Sequence, residues 1–178
     1  QVGIKFIDYV GEKYKKIING LKYPVIILGY ISMTAMLYLL IKSLQFFFQF
    51  PDIVKNVIKI PPLAPLIPYL PQLFKVDFLP PFYFTYWIIS IAIVALVHEF
   101  SHGIFAKVSN IKIKSTGFAF LGPFLGAFVE PDEKRMKKVK KSNQMAILAS
   151  GTFANWVCVI IFFLLLWGFF SLTFTASG

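Results

Sequence analysis

The sequence predicts an α-helical integral membrane protein with about three transmembrane helices, a short membrane-embedded β-hairpin and a Pro-rich interfacial loop. Three observations predict it. Of the 178 residues, 57% are apolar and 18% aromatic, and only 15% are charged, against about a quarter in soluble domains. The charges gather in patches between long uncharged runs, three of which reach the ~20 residues that cross a bilayer. No charged residue occurs between Met145 and Gly178.

Residues 1–23 read as an amphipathic, Lys-rich segment on the cytoplasmic side. The first span covers 24–50. Residues 51–81 follow with eight of the eleven prolines. So many prolines forbid a regular helix, yet the stretch is too apolar for a solvated linker, so it reads as a loop at the outer interface. The second span covers 82–106, and Glu99 is its only formally charged side chain. Residues 107–144 form a basic loop that contains a hairpin at 114–131, turning at Gly122-Pro123. Strands at membrane depth are tolerated only where protein covers their backbone groups. The third span covers 145–172, and 173–178 form a short tail.

Lysine and arginine set the orientation. Residues 1–23 carry five, 42–81 carry four and 107–144 carry nine. The positive-inside rule places the N-terminus and the 107–144 loop in the cytoplasm, with 51–81 and 173–178 outside. The net charge of +10 suits nucleic acid in principle. The basic residues lie beside apolar spans, however, so they fit membrane topology and no nucleic-acid partner is expected. Cys158 is the only cysteine, which rules out an intrachain disulfide and a cysteine-based metal cluster.

The chemistry lies in His98-Glu99-Phe100-Ser101-His102. Two histidines four apart project from one helix face and can share a metal ion. Glu99, beside the first ligand, is placed to take a proton from an attacking water. Three such side chains are costly in apolar surroundings, which argues against an idle trio. His98 is nine residues before Lys107, about 14 Å along the helix. The metal is therefore expected inside the membrane, nearer the cytoplasmic face. Zinc normally takes a third protein ligand and keeps one position open. Asp132 and Glu133 are the nearest carboxylates in topology, but the third ligand is expected outside residues 1–178. Asn155, a polar amide in a Phe- and Leu-rich span, needs a partner. It can donate to an oxyanion or bond a neighbouring helix, with Gly151 one turn earlier as packing space.

These residues resemble the site-2 proteases, a family of zinc-dependent intramembrane proteases. The resemblance covers about residues 82–172. It rests on His98-Glu99-x-x-His102-Gly103, on Gly117–Pro131 with its ending Gly126-Ala127-Phe128-Val129-Glu130-Pro131, and on Ser150-Gly151-Thr152-Phe153-Ala154-Asn155. It implies that His98 and His102 bind Zn2+ and that Glu99 activates water. It also implies that the hairpin, at Gly126, Ala127, Phe128 and Val129, pairs with an unwound strand of a transmembrane substrate. Asn155 would stabilise the oxyanion or orient substrate. The family's third ligand is an Asp in an Asp-Gly motif, and no Asp-Gly occurs here, so a further C-terminal part of the enzyme is implied as its source.

The activity that follows is endopeptidase cleavage of a transmembrane helix in a membrane-bound substrate. Two alternatives stand beside it. One is another membrane metalloprotease, such as a prenyl-protein endopeptidase. The other is a non-catalytic membrane metal-binding protein, from which the work of Glu99 separates the enzymes.

Overall fold

A computed structural model describes residues 2–51, 84–121 and 124–173. Most of the Pro-rich stretch, the Gly122-Pro123 turn and the last five residues lie outside the described residues. The described elements are α1 (Val2–Lys13), α2 (Lys15–Gln49), α3 (Phe84–Val108), β1 (Ile113–Leu121), β2 (Phe124–Pro131), α4 (Glu133–Met136) and α5 (Lys141–Thr173). Helices α2, α3 and α5 are each long and apolar enough to cross a membrane. The chain is an integral membrane protein of three spanning helices and one two-stranded hairpin. The described residues of Gln1–Gly29 and Ala92–Gly178 pack as one unit, which holds the site; Tyr30–Ile91 forms a second.

The surface of α5 shows which solvent it is built for. Its first half buries Ala146, Ile147, Ser150, Gly151 and Ala154, spaced to fall on one face. Beyond that, the eight residues Ile160–Trp167 are all 49–65% exposed. A helix apolar on every side is stable only when hydrocarbon surrounds it.

Helix α2 begins at Lys15, nine residues before Pro24, and runs through that proline. Proline lacks the N–H that would bond the Gly20 carbonyl and normally kinks a helix. Packing holds the helix together on both sides of it. Ile18 and Val25 are both buried in the core cluster, with Leu21 packed against it, and their spacing of three and seven puts them on one face. Gly29 then brings α2 against α5, where a Cβ would meet the Ala149 methyl at 2.7 Å.

Helix α3 ends in a Schellman motif. Asn110 adopts φ 60°, the left-handed conformation that Asn tolerates better than most residues. Its N–H bonds the Lys107 carbonyl at 2.9 Å, and Ile111 N–H reaches back to the Ala106 carbonyl, also at 2.9 Å. Ile111 and Ala106 are both buried, which supplies the apolar contact that accompanies this cap. The chain thereby turns from the end of α3 straight into β1.

Strands β1 and β2 pair antiparallel, with a bulge between Ile113 and Ser115 that leaves Lys114 outside the regular register. Gly117 stands opposite Phe128, and a Cβ there would lie 2.9 Å from the Phe128 ring. The glycine therefore makes room for the aromatic side chain. After β2, Asp132 caps α4 by accepting from the N–H groups of Lys134 and Arg135. The Arg135 N–H first, and then the Lys134 N–H and neighbouring cations, hold its carboxyl below the usual carboxylate range.

Helix α1 packs on the other side of α3 through a face at four-residue spacing. Ile7 is fully buried and fills the hollow at Gly103, where a Cβ would meet Ile7 Cδ1 at 2.7 Å and Val129 Cγ1 at 3.0 Å. Gly3 approaches Thr116 of β1, and Gly11 admits the Lys107 stem. Phe6 and Phe100 meet edge to face, with ring centroids 5.6 Å apart. Lys107 Nζ pairs with Asp8 at 2.7 Å and Glu12 at 3.2 Å. Those pairs are partly exposed and add little energy; packing at Ile7 and Gly103 does most of the joining.

Candidate metal centre

The helical spacing of His98 and His102 brings their rings to a centroid separation of 4.8 Å at an interplanar angle of 74°. Together with Glu99, their ligand atoms all lie within 4.8 Å of one another, and all three residues are half-buried. No other His, Cys, Asp or Glu joins this group among the described residues. Asp132, near in topology, is occupied as the cap of α4.

Helix α5 supplies the opposite wall. Gly151 is buried there, and a Cβ on it would press against His98 Nε2 and stand 2.5 Å from His102 Nε2. Zinc binds imidazole nitrogen at about 2.0–2.1 Å. The missing side chain at Gly151 lets both Nε2 atoms approach the α5 backbone, and two imidazoles and a carboxylate with ligand atoms within 4.8 Å of one another form a donor set that fits a metal ion.

The tautomer of His102 agrees. Its Nδ1 lies 2.6 Å from the Ile147 carbonyl oxygen, which can only accept, so Nδ1 carries the proton and donates. Nε2 is left unprotonated and faces Gly151. Orienting a ligand histidine through its second nitrogen is the usual device in metal sites.

Glu99 is tied to the hairpin. Its Oε2 accepts from the Val129 N–H at 3.3 Å, a donor on β2 opposite Thr116. The hairpin stretch named from the sequence therefore reaches the site at one residue, Val129. Ala127 and Phe128 instead help line an apolar cavity of about 990 Å³, which runs between α1, the start of α2, α3, the hairpin and α5 and includes Phe6, Phe100, Phe118 and Phe153. Gly126 pairs with Ala119.

Asn155 follows Gly151 by one turn, so the two share a face of α5. Its Oδ1 is buried and has no hydrogen-bond partner among the described residues. The helix-to-helix hydrogen bond that would explain a polar amide here is not made by this oxygen.

Sequence reasoning missed the role of Ser101 and Ser150. Ser101 Oγ donates to the Ser150 carbonyl at 2.9 Å, and Ser150 Oγ sits beside His102. Both serines stand inside motifs noticed for other residues. Only the pairing of α3 with α5 gives them a task.

A histidine pair and a glutamate on one spanning helix, with a glycine of another packed against the two rings, form a group that could hold a metal ion within an integral membrane protein. The family model of peptidase family M50 matches residues 86–176, 91 of the 178 residues. The chain belongs to peptidase family M50, the site-2 protease family of zinc metalloproteases. An uncharacterized protein of Methanocaldococcus jannaschii is 46% identical over 69 residues, covering 38% of this chain and 19% of the relative. The matched stretch thus spans about a fifth of that relative's length. No solved structure matches the chain significantly.

Proposed function

We propose that this chain carries the zinc-binding half of an intramembrane endopeptidase that cleaves transmembrane helices of membrane-bound substrates. The observation that carries the reading is the convergence of His98 and His102 Nε2 on the space left by Gly151, with Glu99 in the same group. Zinc, when bound, supplies a Lewis acid for the scissile carbonyl. His98 and His102 hold it. Glu99 takes the proton of the attacking water and later delivers it to the leaving amine. The third ligand, an Asp by resemblance, comes from sequence outside residues 1–178.

Asn155 donates from its amide nitrogen to the oxyanion that develops on the scissile carbonyl. A substrate helix hides its carbonyls in hydrogen bonds and must unwind first. The Gly126–Val129 strand offers a backbone edge for the extended form. The Phe-lined cavity suits apolar side chains of such a segment. The lysine pattern favours a cytoplasmic N-terminus and a metal nearer the cytoplasmic face.

Two measurements test this reading. Full-length enzyme in proteoliposomes should lose cleavage of a transmembrane substrate on chelation and regain it with zinc; cleavage that survives complete zinc removal sinks the proposal. Asn155→Leu should raise thermal stability, because an unsatisfied buried polar group costs about 1–3 kcal/mol. The same variant should lower cleavage about 10²–10³-fold. Unchanged cleavage would remove Asn155 from the mechanism.

A further inference from the structure

We infer that Ser150 is a positioning residue of the metal centre, fixing the His102 imidazole from behind through the Ile147 carbonyl. The inference rests on the zinc reading above and adds a residue to that site.

Ser150 is fully buried, and its hydroxyl donates to the Ile147 carbonyl at 2.7 Å. Taken alone, that bond is ordinary, since serines inside helices often bond back to their own preceding turn. Two further contacts set it apart. Ser150 Oγ also lies 3.3 Å from His102 Nδ1, and Nδ1 donates to the same Ile147 carbonyl at 2.6 Å. Hydroxyl, imidazole and carbonyl thus close a triangle. Because the hydroxyl proton is committed to the carbonyl, Oγ turns a lone pair toward Nδ1–H. Both neighbours of Nδ1 are then acceptors, which selects the tautomer whose Nε2 is free to bind metal.

A third contact concerns the backbone. Ser101 Oγ donates to the Ser150 carbonyl at 2.9 Å, and Ser101 precedes His102 in the chain. Helices α3 and α5 are therefore stitched twice around one ligand, once through the ring of His102 and once beside its main chain. Ser150 belongs to both stitches, and its neighbour Gly151 forms the floor of the site. A ring that swung freely about its side-chain torsions would lose the convergence of the two Nε2 atoms.

Partners behind a ligand histidine typically contribute 10–100-fold in metal affinity. The test is zinc competition against a chromophoric chelator, using full-length enzyme in detergent. The melting temperature of the metal-free form and the absorption of the cobalt-substituted form are measured alongside. Ser150→Ala should bind zinc about 10–100-fold more weakly and shift the cobalt spectrum, while its metal-free form melts near wild type. Ser150→Thr, which keeps the hydroxyl, should restore the affinity. Wild-type affinity in Ser150→Ala overturns the inference, as does equal loss in both variants, which would assign the effect to packing. If Ser150→Ala does not fold, Ser101→Ala takes its place: weaker zinc binding supports the double stitch, and unchanged binding overturns it. Absence of zinc from the wild-type enzyme would instead defeat the proposed function itself.

Discussion

Glu99→Gln is expected to lower peptide-bond cleavage about 10²–10⁴-fold, the range that positioned acid–base catalysis contributes, while zinc stays bound. The substitution keeps the shape of the side chain and its ability to accept from the Val129 N–H, so the hairpin contact at 3.3 Å survives. What it removes is a carboxylate that can take a proton. Neither histidine is touched, and each still presents Nε2 to the Gly151 hollow. Measured together, zinc content and turnover in proteoliposomes separate the two roles. Retained turnover would show that Glu99 is not the base, and lost zinc would show that its carboxylate helps hold the metal.

The second large effect is expected at a residue without a side chain. Gly151→Ala should reduce bound zinc to background, because the new methyl group stands 2.5 Å from His102 Nε2 and against His98 Nε2. Zinc requires about 2.0–2.1 Å from each nitrogen, and a methyl group pressed against both Nε2 atoms pushes the rings out of the arrangement in which they can share an ion. The metal-free melting temperature separates displaced rings from a lost fold, since Ala is favoured over Gly within helices by about 0.8–1.0 kcal/mol while overpacking costs about 1–3 kcal/mol. The control is Gly168→Ala in the same helix, where nothing lies within 4 Å; it should keep its zinc. Full zinc occupancy in Gly151→Ala would mean that the two rings do not need a bare glycine opposite them to share the metal.

Much of this architecture is legible without coordinates, because the lipid environment and local geometry set it. Long uncharged runs must become helices in hydrocarbon, since no water is present to satisfy the backbone. An i, i+4 histidine pair on such a helix must share a face. The hairpin follows from the turn signal at Gly122-Pro123 and from the resemblance. Start points are less legible. Helix α2 runs through Pro24 because Ile18 and Val25 are buried on both sides of it, and no local rule weighs packing against a lost hydrogen bond.

Sequence alone thus determined the spanning helices and the clustering of two histidines with an adjacent acid on one helix, the cluster depending on neighbours within one turn. Tertiary structure decided what faces them: the bare backbone of Gly151 against both rings, Ile147 and Ser150 behind His102, Val129 against Glu99, and Ile7 of α1 in the hollow at Gly103. Each of those contacts joins elements far apart in the chain, where spacing carries no information. The opening motif names the chemistry, and the helix packed across from it gives that chemistry a place to happen.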